Sequence, residues 1–328
     1  VSDREHTIVL QERIRVRKRE AEALKKMGEA EEKYKKAQML ELKALGVMEE
    51  ALNISENGRI LEITIREEGA SKPKKRIKEF FHTVFGDVLT LANARRNVFI
   101  YGPTGCGKSH LCKQIAEALD LSYSFVSCTS GMSEGVLGGR LLPTGESGRF
   151  EYTISEFIKC YETGGVFLLD EIDAADPNVL LLVNAALANG HVAVPNRPGD
   201  PYAERHEDFV CVAAANTVGT GADRLYSGRN RLDAATLDRF QIGKIVMGYD
   251  EQLEKQLCPN AALRNVLLKW REAIDTHRLE RAMSTRFMQD AHLMVSKFQW
   301  GMVHVERAFF SGWAEDEKGK VKEYSRLN

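Results

Sequence analysis

The run Gly102-Pro103-Thr104-Gly105-Cys106-Gly107-Lys108-Ser109 constrains this chain more than any other stretch. Its pattern, G-x-x-x-x-G-K-S, describes a loop whose backbone N–H groups turn inward around phosphate oxygens. Asn97 to Tyr101, just before it, reads as a buried strand, and His110 to Leu119, just after it, reads as a helix. The loop then delivers phosphates to a helix N-terminus, where the dipole favours negative charge. Lys108 is placed to reach the β- and γ-phosphates, and Ser109 to hold Mg²⁺. The motif predicts a nucleoside triphosphate bound by residues from Gly102 to His110, within an α/β fold.

The bulk properties exclude several classes. At 328 residues the chain has room for two or more domains, and 43% apolar residues suffice for a core. A formal net charge of −1 gives no global field for nucleic acid or an anionic membrane. No apolar run approaches the ~20 residues of a membrane helix. The charged beginning of the chain lacks a secretory apolar stretch. The six cysteines are scattered without a C-x-x-C pair, as expected of reduced thiols in a cytoplasmic protein. Five read as small apolar residues; Cys106 sits inside the phosphate loop, where oxidation would block the site.

Three regions follow. Residues 1–76 hold a charged segment, with helix-like spacing of Leu24, Met27, Tyr34, Leu45, Met48 and Leu52. No sustained heptad runs through it, so a solvated helix packed on a neighbour is expected, with a coiled coil or partner-binding arm as the alternative. Asn57-Gly58 signals a turn, Arg59 to Arg66 alternates like a strand, and Glu67 to Arg76 reads as a linker. Residues 77–247 alternate helix and strand, the signature of an α/β domain with a mostly parallel sheet. Its expected buried strands are 97–101, 122–127, 165–169, 210–214 and 244–246. Residues 248–328 are helical in period throughout and read as a small helical domain.

Val166-Phe167-Leu168-Leu169-Asp170-Glu171 is an apolar strand ending in two acids. The acids emerge at the carboxyl end of the sheet, where ligands bind in open α/β folds. Asp170 is placed to hold Mg²⁺, and Glu171 to orient and deprotonate the attacking water. The next strand, Phe209 to Ala215, ends at Asn216-Thr217, and an amide there can bond the γ-phosphate or the water.

Together these motifs resemble the core of AAA+ ATPases. Ala213-Ala214-Ala215-Asn216-Thr217-Val218-Gly219-Thr220-Gly221, Leu225-Tyr226-Ser227-Gly228 and Leu232-Asp233-Ala234-Ala235-Thr236-Leu237-Asp238-Arg239-Phe240 are similar to the CobS-like, dynein-related branch near MoxR. The resemblance runs from about Phe80 onward and implies a P-loop core under a helical lid. It makes Asn216 the polar sensor of the γ-phosphate and Arg239 the arginine finger completing a neighbouring subunit's site, with Arg229 and Arg231 as rivals. It makes Arg286, in Ser284-Thr285-Arg286 at a helix start, the second sensor. Gly138 to Tyr152 resembles the helix-2 insert hairpin that faces the pore of a ring, and Gly190 to His206 the hairpin before the first sensor.

The function so implied is a homo-oligomeric ATP-hydrolysing motor, most simply a hexameric ring, that remodels a partner protein. In this branch the partner often carries a von Willebrand A domain. Two alternatives stand beside it: a nucleic-acid motor such as a McrB-like GTP-dependent subunit, and a nucleotide-gated scaffold with little turnover. ATP over GTP follows from the resemblance alone.

Overall fold

The computed structural model describes residues 61–63, 66–67, 70–71, 75–77, 79–145 and 148–327. The helix expected over 11–52 and the Asn57-Gly58 turn lie outside them. Within 61–77 the backbone makes two short antiparallel pairs, Leu61–Ile63 with Lys75–Ile77 and Arg66–Glu67 with Ala70–Ser71. The strand read from Arg59 to Arg66 is therefore present over Leu61–Ile63. The stretch taken as a linker instead supplies strands of its own.

The elements that carry the phosphate loop belong to a second unit, Glu79–Asn328. Its sheet contains β1 (Val98–Tyr101), β2 (Tyr123–Ser127), β3 (Gly165–Asp170), β4 (Phe209–Ala215) and β5 (Lys244–Val246). They lie side by side in the order β5-β1-β4-β3-β2, and every pairing is parallel. The chain leaves β1 for the far edge, returns through β3 and inserts β4 beside β1. That reversal brings the carboxyl ends of β1, β3 and β4 together, the crevice where open α/β sheets bind ligands.

Burial separates the centre from the edges. All seven residues of β4 are buried, as are Gly165 to Leu169 of β3, so both read as unbroken apolar runs. The strands at 122–127 and 244–246 were also expected to be buried, and they are not. Each is an edge strand covered by one neighbour, and Phe125 and Val246 are exposed.

Helices flank the sheet: α1 (Phe85–Asn93), α2 (Lys108–Leu119), α3 (Glu156–Thr163), α4 (Pro177–Asn189) and the short α5 (Ala234–Asp238). Side-chain caps set their starts. Ser155 accepts from Ile158 N, Asp176 from Asn178 N ahead of Pro177, and Asp233 from Thr236 N. Under the sheet Phe157 meets Phe167 edge-on at 5.1 Å, and Tyr161 meets Phe209 at 5.0 Å. Such pairs contribute about 0.5–1.5 kcal/mol each beyond the area they bury.

Two antiparallel hairpins interrupt the core where the sequence places them. Arg140–Thr144 pairs with Arg149–Thr153, and His191–Ala193 pairs with Tyr202–Glu204. After β5 the chain is helical: α6 (Glu251–Leu257), α7 (Ala261–Thr276), α8 (Thr285–Phe298), α9 (Met302–Phe309) and α10 (Glu315–Leu327). Their core is built on Trp270, stacked on Phe309 at 5.0 Å, with Leu267, Met288 and Val305 around it. Ser284 caps α8 through Phe287 N, which fixes where Thr285 and Arg286 stand.

Candidate functional site

The phosphate loop leaves β1 at Gly102 and enters α2 at Lys108. Gly102 N donates to Ala215 O at 3.2 Å, joining the loop to the end of β4. A Cβ on Gly102 would lie 1.9 Å from the carbonyl oxygen of Met247, so only glycine lets the chain beyond β5 pass so close. Gly107 takes φ +106° just before the first turn of α2, a conformation open to glycine at little cost. The loop thus turns on its glycines directly into a helix start, as its motif demands.

Lys108 is nearly buried, and its Nζ donates to Gly102 O (2.8 Å), Pro103 O (3.0 Å) and Asn216 Oδ1 (3.0 Å). Burial pulls its ammonium below the ordinary lysine value, opposed by Cys106 and by the carboxylates Asp170, Asp173 and Glu171. Ser109 Oγ donates to Asp170 Oδ2 at 2.6 Å. The loop's lysine with the amide after β4, and its serine with the acid that ends β3, therefore meet although they span residues 108 to 216.

Glu171 has φ +55°, a left-handed conformation that turns it away from the strand direction of Asp170. Its carboxylate is half exposed and faces Arg229, whose Nη2 lies 3.3 Å from Oε1 and Nη1 3.4 Å from Oε2. Two residues on, Asp173 is fully buried. Its Oδ2 accepts from Asn216 N (3.2 Å), Thr217 N (3.1 Å) and Thr217 Oγ1 (3.0 Å), and so holds the strand tip that carries Asn216.

Lys108, Ser109, Asp170, Glu171 and Asn216 line one cleft of about 380 Å³. Its lining includes Thr104 to Leu111, with His110 near Glu79 at 3.6 Å, as well as Asp170, Glu171 and Asn216. Thr285, Arg286 and Gln289 of the C-terminal helical region also line it, as do Phe80, His82, Leu253 and Leu257. Arg286 N donates to Gly105 O at 3.2 Å, so the expected second sensor abuts the loop directly.

Two expectations about arginines resolve differently. Neither arginine lines that cleft. Arg229, a rival for the finger, pairs with Glu171 and Asp173 of its own chain, whereas Arg239 is engaged elsewhere. Its carbonyl accepts from Asn97 Nδ2, its guanidinium lies 3.7 Å from Asp238, and its buried Nε has no hydrogen-bond partner among the described residues. Arg231 is exposed and pairs its backbone with Thr220.

Several site residues went unread in the sequence. Asp173 sits three positions after Asp170, a spacing with no helix or strand pattern to flag it. Tyr226 accepts from Thr104 N at 2.9 Å, and Tyr249 donates to Thr104 O at 3.1 Å, so two tyrosines from distant segments clasp one loop residue. Only the presence of Tyr226 in the run shared with the AAA+ branch could have pointed to it.

A five-stranded parallel sheet with this loop and these acids defines a P-loop nucleotide-binding protein. Residues 97–240 match the model of the AAA domain, dynein-related subfamily, and the chain carries an AAA+ domain of that subfamily there. Curated relatives include uncharacterized proteins of Staphylococcus aureus strains USA300, NCTC 8325 and COL. Each is 31% identical over 116 residues, covering 34% of this chain and 44% of the relative. The chain thus spans less than half the length of these relatives. A crystal structure of a Cytophaga hutchinsonii protein described as a candidate ATPase aligns over 74% of this chain and 78% of its own. It has 16% identity and a TM-score of 0.41, too low to equate the two folds. Among the described residues no helix is long and apolar enough to cross a membrane.

Proposed function

We propose that this protein is an ATP-hydrolysing motor of the CobS-like or MoxR-like kind, working as a homo-oligomeric ring, most simply a hexamer. The observation that carries the reading is the convergence of Lys108, the Ser109–Asp170 pair, Glu171, Asn216 and Arg286 on one cleft. The residues fit a magnesium-bound triphosphate. A glycine-rich loop at a helix start, a buried lysine, a hydroxyl and one carboxylate are what such a group needs, since magnesium takes few protein ligands and shares the phosphates. Ser109 and Asp170 would hold the cation, which when bound supplies charge neutralisation at the phosphate oxygens.

Each remaining residue has a definite task. Lys108 compensates charge on the β- and γ-phosphates. Glu171 accepts a proton from the attacking water, and Asn216 orients that water or the γ-phosphate. Arg239, standing outside its own cleft, is available to a neighbouring copy, where its guanidinium offsets charge on the transferring phosphoryl group. Arg286 joins the lid to the loop, so that turnover tilts the helices of residues 248–328 against the core of residues 77–247. The two hairpins would pass that movement to a partner protein, and a von Willebrand A domain suits the branch. The near-neutral charge favours a protein partner over nucleic acid.

Turnover of the unmodified chain, Glu171→Gln, Arg239→Ala and their mixture tests this. Glu171→Gln should keep ATP binding and lose about 10²-fold or more in rate. Arg239→Ala should lose about 10³-fold, and the mixture should regain activity because a mixed interface contains one sound site. Full turnover by Glu171→Gln would defeat the catalytic assignment. Absence of rescue at every ratio would defeat the shared site.

A further inference from the structure

The glutamate assigned above as the base is engaged by a cation of its own chain, and the distances are unusual. Arg229 stands 3.3 and 3.4 Å from the two oxygens of Glu171 and 3.5 Å from Oδ1 of Asp173. Charge-assisted N–H···O bonds normally close to about 2.7–2.9 Å. The guanidinium is therefore suspended among three acceptors and fully bonded to none.

The two carboxylates differ sharply in what they need. Asp173 is completely buried, and its Oδ1 has no hydrogen bond from any described residue. A buried anionic oxygen without a donor is costly. The Glu171 side chain is 49% exposed, so water can replace Arg229 there. Arg229 is held to these choices by its neighbour: Asn230 N donates to Asp173 O at 2.6 Å, and Asn230 Nδ2 to Ala175 O at 2.9 Å. A swing of the guanidinium by well under a side-chain length closes the bond to Asp173 and opens the one to Glu171.

We infer that Arg229 is a positioning residue with two resting places, one that withholds Glu171 from water and one, on Asp173, that frees it. A guanidinium facing both oxygens takes one of the two lone pairs on each and turns the carboxylate toward itself, which leaves a weaker and less well aimed base, and a general base must lie within hydrogen-bond reach of the proton it takes. Asp173 also anchors Asn216 N and Thr217 N, so the guanidinium's position is tied to the strand tip that faces the γ-phosphate. Release of the base and placement of the amide then occur together. This rests on Glu171 acting as the base, and it assigns Arg229 to its own site in place of the neighbour's.

The test uses the full chain with Arg229→Lys and Arg229→Gln. Either can donate to Asp173, and neither can fork onto Glu171. Both should raise kcat for ATP several-fold with KM unchanged. On a Glu171→Gln background the same changes should have no further effect, because Arg229 works through that carboxylate. A fall in kcat in a variant whose melting temperature matches the unmodified chain would overturn the inference, as would an unchanged kcat. An added effect in the double variants would do so too. Loss of folding by one substitution leaves the other to decide; loss by both would mark Arg229 as structural and also overturn it. If Glu171→Gln alone turns over normally, the catalytic reading of Glu171 has failed; if it is inactive while Arg229→Lys and Arg229→Gln show no gain, only the Arg229 inference has.

Discussion

Arg271 forks onto the buried carboxylate of Glu254, Nη2 to Oε1 at 2.6 Å and Nη1 to Oε2 at 2.9 Å. Thr285 Oγ1 donates to the same Oε1 at 2.6 Å, and the guanidinium lies 4.0 Å from the ring centre of Tyr249. Because Tyr249 reaches Thr104 O and Thr285 opens α8 beside Arg286, one ion pair joins the lid helices to the phosphate loop.

Arg271→Ala leaves Glu254, 1% exposed, without its cation. Removing one partner of a buried pair costs about 3–5 kcal/mol. The lid should unfold at lower urea than the core, read by the fluorescence of Trp270, Trp300 and Trp313, all of them in the lid, against far-ultraviolet dichroism. Nucleotide affinity should fall as well, since Tyr249 loses the cation over its ring.

Gly105→Ala tests the contact between loop and lid from the other side. Gly105 has φ +69°, and a Cβ there would lie 2.6 Å from Ser284 Cβ. The left-handed conformation alone costs a non-glycine residue about 1–2 kcal/mol, and the start of α8 must also shift. A lowered melting temperature and weakened nucleotide binding by titration are expected. Gly86→Ala, with nothing within 4 Å of the added methyl and a place inside α1, should instead be neutral or stabilising.

All six thiols are buried. Burial pushes Cys128, Cys160 and Cys211 up to about 12, and Cys106, Cys112 and Cys258 also move upward. An unfolded thiol ionises near 8.5, so above that pH the folded state binds more protons than the unfolded one. Stability contributed by these groups is then complete below about pH 8.5 and declines as pH rises toward 12. Urea midpoints should fall between pH 8 and 10, and a disulfide reagent at pH 8 should react slowly until denaturant is added. Rapid native labelling of Cys106 would show the loop to be open.

Much of the site could be read because it is local in the chain. Gly102 to Gly107 form a loop that the glycine placement and the helix beginning at Lys108 announce within eight residues. Asp170 and Glu171 follow an unbroken apolar run that reads as a strand, and acids at such a strand end are visible without the rest of the fold. Ser284 caps α8 by a bond three residues long. The strands at 123–127 and 244–246 were misjudged as buried because an apolar run carries no mark of how many neighbours it will have. Periodicity likewise left the strand pairs of residues 61–77 unread, for each is only two or three residues long.

The amino-acid order by itself determined that a glycine-rich loop of the phosphate-binding pattern joins a strand to a helix and that acids and an amide follow at strand ends, because those features depend on neighbours within a few residues. Only the tertiary structure decided that β4 lies between β1 and β3, which sets Asn216 on Lys108, seats Asp173 under Thr217 and turns Arg229 toward Glu171. Those contacts join residues tens of positions apart. They follow from the order in which the strands pack, a property of the whole sheet that no local pattern records.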